Sequence, residues 1–196
     1  MLMKAGHISN LTDARYFASK NARWLGLNLN PSDPDSIGKE QAEGIIQWIA
    51  GYEIIGEMGK RKEEEIFYLC DELGLNGIQI DSNLELSMYP PGVSIFRNKK
   101  FNPNRGIMTI PDPVSYLILG IEDPDILNTK EASQKLSNYC ERYQVLLDIG
   151  RTIDLSIYED YPIKGVNIQG GKEIRTGVKE FSELGILMNK LSQFGG

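Results

Sequence analysis

The stretch EIIGEMGKRKEEEIFYLCDELGLNGIQI, residues 53–80, carries the reading that decides the fold. EIIGEM (53–58) is a short apolar run of strand length, and GIQI (77–80) is another. Between them KEEEIFYLCDELG has the order of a helix. Its acidic side chains stand in the first turn, where they complement the helix dipole, and Gly74 stands at its end, where a left-handed residue closes the last turn. Two strands joined through a helix pair in parallel, with a right-handed crossover.

The same alternation runs outward in both directions. Strand-like runs are LMKAG (2–6), WLGLNL (24–29), VSIF (93–96), YLILGI (116–121), QVLLDI (144–149) and GVNIQ (165–169), which with the two above make eight. Helices are expected over TDARYFASKNA, capped by Asn10 or Thr12, over IGKEQAEGIIQWIAG, capped by Ser36, and over TKEASQKLSNYCERY and VKEFSELGILMNKLSQF. After VSIF the text NKKFNPNRGIMTIPDPVS is broken by prolines and has no amphipathic repeat, so the helix between strands five and six is short or missing. The segment near DLSIYEDY, after strand seven, is also cramped. No Ser/Pro/Gly-rich linker separates the units, so residues 1–196 read as one domain. The expected architecture is a closed parallel TIM (βα)8 barrel; a doubly wound open sheet is the alternative, because the pattern alone does not show closure.

The chain of 196 residues, 41% hydrophobic and 24% charged, is of ordinary globular composition. Its net charge of -6, with no basic run, argues against nucleic acid or a membrane surface as partner. A small phosphorylated metabolite remains compatible, since backbone amides and a few cations hold phosphate locally. Cys70 and Cys140 are far apart and in no metal or redox spacing, and His7 is the only histidine, so neither a metal site nor a cofactor is expected. The opening MLMKAGHISN has no long apolar region, which predicts a cytoplasmic protein. Shortened units after strands five and seven would expose apolar barrel surface, and a homodimer that covers it is one expectation.

Ligands of βα barrels meet the carboxyl ends of the strands and the loops beyond them. The positions to watch are Gly6 and His7, Asn30 to Asp35, Glu57, Gln79 and Asp81, Arg97, Glu122, Asp148, Gly150 and Arg151, and Gln169 to Lys172. Asp81, Glu57, Glu122 and Asp148 would form an acidic rim at the barrel mouth.

Four segments carry a family resemblance in the right order and spacing. KAGHISNLTDA (4–14) resembles the opening Lys-x-Cys-Gly-Ile-Thr-x-x-x-Asp-Ala of phosphoribosylanthranilate isomerase. LGLNLNPSDPDSIGKEQA (25–42) is similar to that family's second strand, its Pro-Lys-Ser-x-Arg loop and its next helix. EIIGEM followed by EEEIFYLCDELGLNGIQI is the third segment, with Gln79 at the family's Val-Gln-Leu-His-Gly. GVNIQGGKE followed by TGVKE (165–180) is the fourth, similar to Val-Asp-Val-Ser-Ser-Gly-Val-Glu and Pro-Gly-x-Lys-Asp. Residues 98–143 align only loosely.

The resemblance implies an Amadori rearrangement, in which a phosphoribosyl amine opens its ring and becomes an amino ketose. That needs a general acid at the ring oxygen and a base at the sugar carbon. The family's base position reads Gly6 here, its acid position falls at about Gly120 to Glu122, and its substrate-binding arginine aligns with Asp35. His7 and Glu122 are the residues that would stand in as catalytic groups, with Gln79, Asp81, Arg97 and Asp35 around the substrate. The family's phosphate site maps onto Gly150, Arg151, Gly170, Gly171 and Lys172, where glycine lets backbone amides approach closely. Beside an isomerase of weak or altered activity stand two other readings. One is a catalytically silent barrel that binds a phosphorylated metabolite; the other is a different phosphosugar isomerase or lyase that uses the acidic rim.

Overall fold

The structure, a computed structural model, describes residues 1–81, 83–88, 90–105, 109–150, 159, 161–169, 173–175, 178–179 and 185–186. Its strands are β1 (Leu2–Ile8), β2 (Trp24–Asn28), β3 (Glu53–Gly59), β4 (Gly77–Asp81), β5 (Ser94–Lys100), β6 (Tyr116–Gly120), β7 (Val145–Gly150) and β8 (Gly165–Gln169). All eight pair in parallel and in chain order, and β1 pairs with β8 from Leu2↔Gly165 to Gly6↔Gln169, so the sheet is a closed barrel. The open-sheet alternative is thereby set aside. A short antiparallel pair, β9 (Glu173–Arg175) with β10 (Val178–Lys179), follows β8.

Four helices cover the outside among the described residues: α1 (Leu11–Ser19), α2 (Lys39–Trp48), α3 (Glu63–Glu72) and α4 (Lys130–Arg142). Asn10 caps α1 by accepting the Asp13 N–H at 2.9 Å, and Thr129 caps α4 by accepting the Ala132 N–H at 3.4 Å. The expected Ser36 cap is not formed. α2 starts later, behind Gly38 and with no side-chain cap, while the Ser36 hydroxyl donates to the Asn28 carbonyl. α3 likewise has no side-chain cap; Glu63, Glu64 and Glu65 face the dipole in its first turn, and Gly74 follows with a φ of +57°. The segment near DLSIYEDY lies almost wholly outside the described residues. The helix expected over 178–194 has only Gly185 and Ile186 described as helical, while Val178 and Lys179 belong to β10.

No helix is described between β5 and β6, as the prolines require, and none between β4 and β5. Loop carbonyls in these two crossings have no intrahelical donors, and buried carbonyls need partners. Two buried cations supply them. Arg97, with 0% of its surface exposed, donates to the carbonyls of Leu84 (2.6 Å), Pro113 (3.4 Å) and Asp81 (3.5 Å). Lys135 on α4 donates to those of Asn102 (2.9 Å) and Pro103 (2.8 Å). Arg97 therefore holds loops together on the outer side of the barrel.

Most of the apolar core lies between the barrel and the helices, built from residues such as Leu25, Leu27, Ile54, Met58, Ile78, Leu117, Leu147 and Val166 packed on Phe17, Ile45, Ile66 and Leu136. The exposed large apolar side chains among the described residues are Met1, Trp48, Tyr68, Met88 and Ile186. None of these lies among the described residues of the crossing after β5; Ile107 and Met108 there, and most of the crossing after β7, where apolar surface for a homodimer was also expected, lie outside the described residues. No helix among the described residues is long and apolar enough to cross a membrane.

Candidate functional site

Side chains alternate across a strand, so every second residue of the barrel faces inward. Trp24, Ile55, Phe96, Ile118 and Leu146, from five different strands, touch one another in a cluster separate from the outer core. They form a floor inside the barrel. Trp24 meets Phe96 edge-on at 5.3 Å between ring centroids, and Phe96 stacks on Tyr116 at 5.0 Å. Two residues further along the same strands, toward their carboxyl ends, stand Gly26, Glu57, Asn98, Gly120 and Asp148. The interior thus changes from apolar to polar within one pleat.

The polar layer is a chain of hydrogen bonds across four strands. The buried Lys4 ammonium on β1 pairs with the Glu57 carboxylate on β3. It also donates to Asn167 Oδ1 on β8 at 3.1 Å, and Asn167 Nδ2 donates in turn to Asp148 Oδ1 on β7 at 3.0 Å. The direction of the asparagine follows from its neighbours, since an ammonium only donates and a carboxylate only accepts. The second Glu57 oxygen accepts the His7 N–H at 2.9 Å.

Glu57 reaches β1 by passing over β2, and the glycines make room for it. A Cβ on Gly6 would lie 2.6 Å from Glu57 Oε1, and one on Gly26 would lie 2.7 Å from Lys4 Nζ. Gly6 is thus the space in which this ion pair sits.

Above the pair opens a cavity of about 290 Å³ at the carboxyl ends of the strands, lined among others by Glu57, Asp148, Gln79, Asp81, Asn28 and Asn98. Asn28 Nδ2 and Gln79 Oε1 are buried without a hydrogen-bond partner. Buried polar atoms are nearly always satisfied, so this donor and this acceptor take their partners from the cavity, from water or from a polar ligand.

His7 also lines the cavity. Regular pairing of β1 with β2 lapses between Ala5 and Ile8, and His7 adopts a φ of +57°, so its side chain leaves the strand alternation and reaches the mouth. Its two ring nitrogens face different carboxylates, Nδ1 toward Asp33 and Nε2 toward Asp35, each at 3.7 Å. Among the described residues these three are the group whose side chains suit a metal ion. The imidazole sits between the acids rather than turning one nitrogen to a centre shared with both.

A second recess of about 620 Å³ shares Asp81, Asn98 and Asp148 with the first and adds Lys99, Lys100, Arg105 and Asn102. Burial pushes the Lys99 ammonium below its usual range, with Asp81 opposing the shift and Arg105 adding to it. This side of the mouth is cationic.

Of the residues expected to form the site, Gln79, Asp81 and His7 line the cavity. Three others do not. Arg97 faces away because it is one residue out of phase with the inward Phe96 and Asn98. Glu122 has a side chain 77% exposed beyond the end of β6, where its 2.7 Å bond from Lys100 holds its carboxyl below the usual range. A carboxyl held ionised there is poorly suited to donate a proton. Asp35 is 69% exposed beside His7, and Asp33 rather than Asp35 borders the cavity. Gly150 ends β7, pairing with Ile168, while Arg151, Gly170, Gly171 and Lys172 lie outside the described residues.

Lys4, Asn28, Asn98 and Asn167 were not singled out from sequence. Their signal is the period of two: each stands in register with an inward apolar residue or glycine of its own strand, so a polar group there must face the barrel interior.

No family model matches the chain, and no curated protein matches it by sequence. Solved structures do match in fold. The chain is similar to the phosphoribosyl anthranilate isomerase from Thermus thermophilus, at 21% identity and a TM-score of 0.73, over 98% of this chain and 99% of that one. It is similar at 15% identity and the same TM-score of 0.73 to a phosphoribosyl anthranilate isomerase in complex with reduced 1-(o-carboxyphenylamino)-1-deoxyribulose 5-phosphate, over 98% of this chain and 100% of that one. KGPDC from Streptococcus mutans matches at 11% identity and a TM-score of 0.63, over 98% of this chain and 95% of that one. At these identities the likeness is one of architecture: nearly the whole chain adopts the barrel found in phosphoribosylanthranilate isomerases.

Proposed function

We propose that the protein is a cytoplasmic isomerase of the aldose–ketose type that acts on a phosphorylated sugar amine, as phosphoribosylanthranilate isomerases of tryptophan biosynthesis do. The observation that carries this reading is the cavity at the catalytic end of the barrel, with the carboxylates of Asp33, Glu57, Asp81 and Asp148 on its wall together with the amide atoms Asn28 Nδ2 and Gln79 Oε1. Sugar hydroxyls both donate and accept, so a single polyol satisfies the two amides together. The resemblance of four sequence segments and the shared fold support the reaction class. One structurally similar isomerase is in complex with reduced 1-(o-carboxyphenylamino)-1-deoxyribulose 5-phosphate, which supports a phosphorylated ligand here. Its phosphate would meet the amides of Gly150, Gly170 and Gly171, with Arg151 and Lys172 adding charge. The cations Lys99, Lys100 and Arg105 would take a second anionic group, in place of the arginine that reads Asp35.

The test has two parts. Complementation of a tryptophan auxotroph that lacks the isomerase, with turnover of phosphoribosyl anthranilate by the purified protein, is the outcome expected for this reading. Thermal shift with inorganic phosphate, ribose 5-phosphate and the reduced amino ketose phosphate reads binding by itself. Stabilisation without turnover would favour a second reading, a binding protein for phosphorylated metabolites, for which the absence of a side chain at Gly6 speaks. No shift with any of the three would end both.

A further inference from the structure

We propose that Glu57 and Asp148 are the acid–base pair of this barrel, with Glu57 taking the carbon-bound proton and Asp148 serving the ring oxygen. The inference rests on the isomerase reading above and names the groups that would perform it.

Each carboxylate stands over a glycine of another strand. Glu57 Oε1 occupies the space above Gly6, and Asp148 Oδ2 lies 4.0 Å from where a Cβ on Gly120 would be, across the pairing of β6 with β7. The sequence resemblance sets the base at the first of these glycines and the acid near the second. The reactive groups have moved to other strands while the reactive places in the mouth have not. Both carboxylates line the same cavity, together with the two unpartnered amide atoms.

Their surroundings differ in a way that divides the roles. Glu57 is nearly buried, with one oxygen paired to the Lys4 ammonium and the other held by the His7 N–H, so its oxygens are fixed in the space over Gly6. Asp148 is bound by the Asn167 amide, and Asn167 is bound by Lys4, so one positioning chain sets the spacing of both groups.

Asp148 accepts the Asn167 amide through Oδ1 and, carrying its proton on Oδ2 over Gly120, gives that proton to the ring oxygen as the C1–O bond breaks and the nitrogen lone pair forms C=N. Glu57 then takes the C2 proton, and that electron pair forms C1=C2 while the C=N electrons return to nitrogen. The enol proton leaves to water and the Glu57 proton passes to C1, while Asp148 recovers its proton from water, so the product is an amino ketose and both carboxyls end as they began.

Proton exchange separates the two groups. In deuterated water with 1-amino-1-deoxyribulose 5-phosphates, including the o-carboxyphenyl derivative, the wild-type protein exchanges the C1 proton, which needs Glu57 alone. Glu57→Gln is expected to lose at least about 10²-fold of this exchange, and Asp148→Asn to keep it while losing ring closure. Glu57→Asp keeps the charge facing Lys4 but retracts the oxygens, so it remains informative if Glu57→Gln does not fold. Asn167→Asp sets a second carboxylate beside Asp148 and moves the pH profile of ring closure upward, which a merely structural asparagine would not do. Exchange that survives within a few-fold in folded Glu57→Gln and Glu57→Asp overturns the pair while leaving the isomerase reading intact. No exchange by the wild-type protein overturns both.

Discussion

At the floor of the barrel Trp24, Ile55, Phe96, Ile118 and Leu146 meet as packed hydrocarbon, whereas one pleat further along the strands Lys4, Glu57, Asn167 and Asp148 meet through directed hydrogen bonds. The floor is stabilised by area and fit, which tolerate exchange among side chains of similar volume. The mouth is held by partners that must all be present, because removing one leaves another buried and unpaired. One barrel thereby combines a forgiving base with an exacting site.

The largest effect is expected from breaking the ion pair on one side only. Lys4→Met leaves Glu57 facing the interior without its ammonium and should cost about 3–5 kcal/mol in denaturant unfolding. The double variant Lys4→Met with Glu57→Leu removes both charges and should recover most of that loss. A double variant as unstable as the single one would mean that the two layers follow the same rule.

The legible part of the molecule follows the same division. Strand positions could be read because apolar runs of strand length alternate with amphipathic helices, and β4 was expected at 77–80 and found as Gly77–Asp81. The outer layer needs no more than that. Inward polar groups such as Gln79 were visible because they interrupt apolar runs at strand ends. Arg97 shares that appearance but has the opposite parity, and its role in satisfying loop carbonyls follows from the two helix-less crossings, which only the tertiary structure sets out in full. Lys4 was hidden for a similar reason. A lysine near a chain start reads as solvated, and its partner lies 53 residues away on β3. Gly6 read as a missing base, because the carboxylate that fills its space belongs to another strand.

A second prediction concerns that space. Gly6→Ala would bring a Cβ to 2.6 Å from Glu57 Oε1, an atom pinned by Lys4 and next to an oxygen held by the His7 N–H. The expected cost is about 1–3 kcal/mol, as for overpacking of a core. In a Glu57→Ala background the same change should cost much less, since the obstructing oxygen is gone. Equal costs in the two backgrounds would show that Gly6 serves some purpose other than making room. At the floor, Ile118→Val should cost only about 0.5–1.5 kcal/mol and leave ligand-induced thermal shifts unchanged, because it removes one methylene from a packed cluster.

A last expected effect lies outside both layers, in the helical shell, and appears only at alkaline pH. Burial pushes the Cys140 thiol up from an ordinary 9.0 to about 11, with Glu141 adding to the shift. A thiol that keeps its proton longer in the folded than in the unfolded chain contributes stability that is whole below about pH 9 and is lost as the pH rises toward 11. Unfolding free energy measured across that interval should therefore decline, and Cys140→Ala should flatten the decline without altering the values below it beyond a constant offset. If the variant declines as steeply as the wild type, the alkaline loss belongs instead to the other groups that burial pushes up, the Cys70 thiol and the Tyr16 hydroxyl.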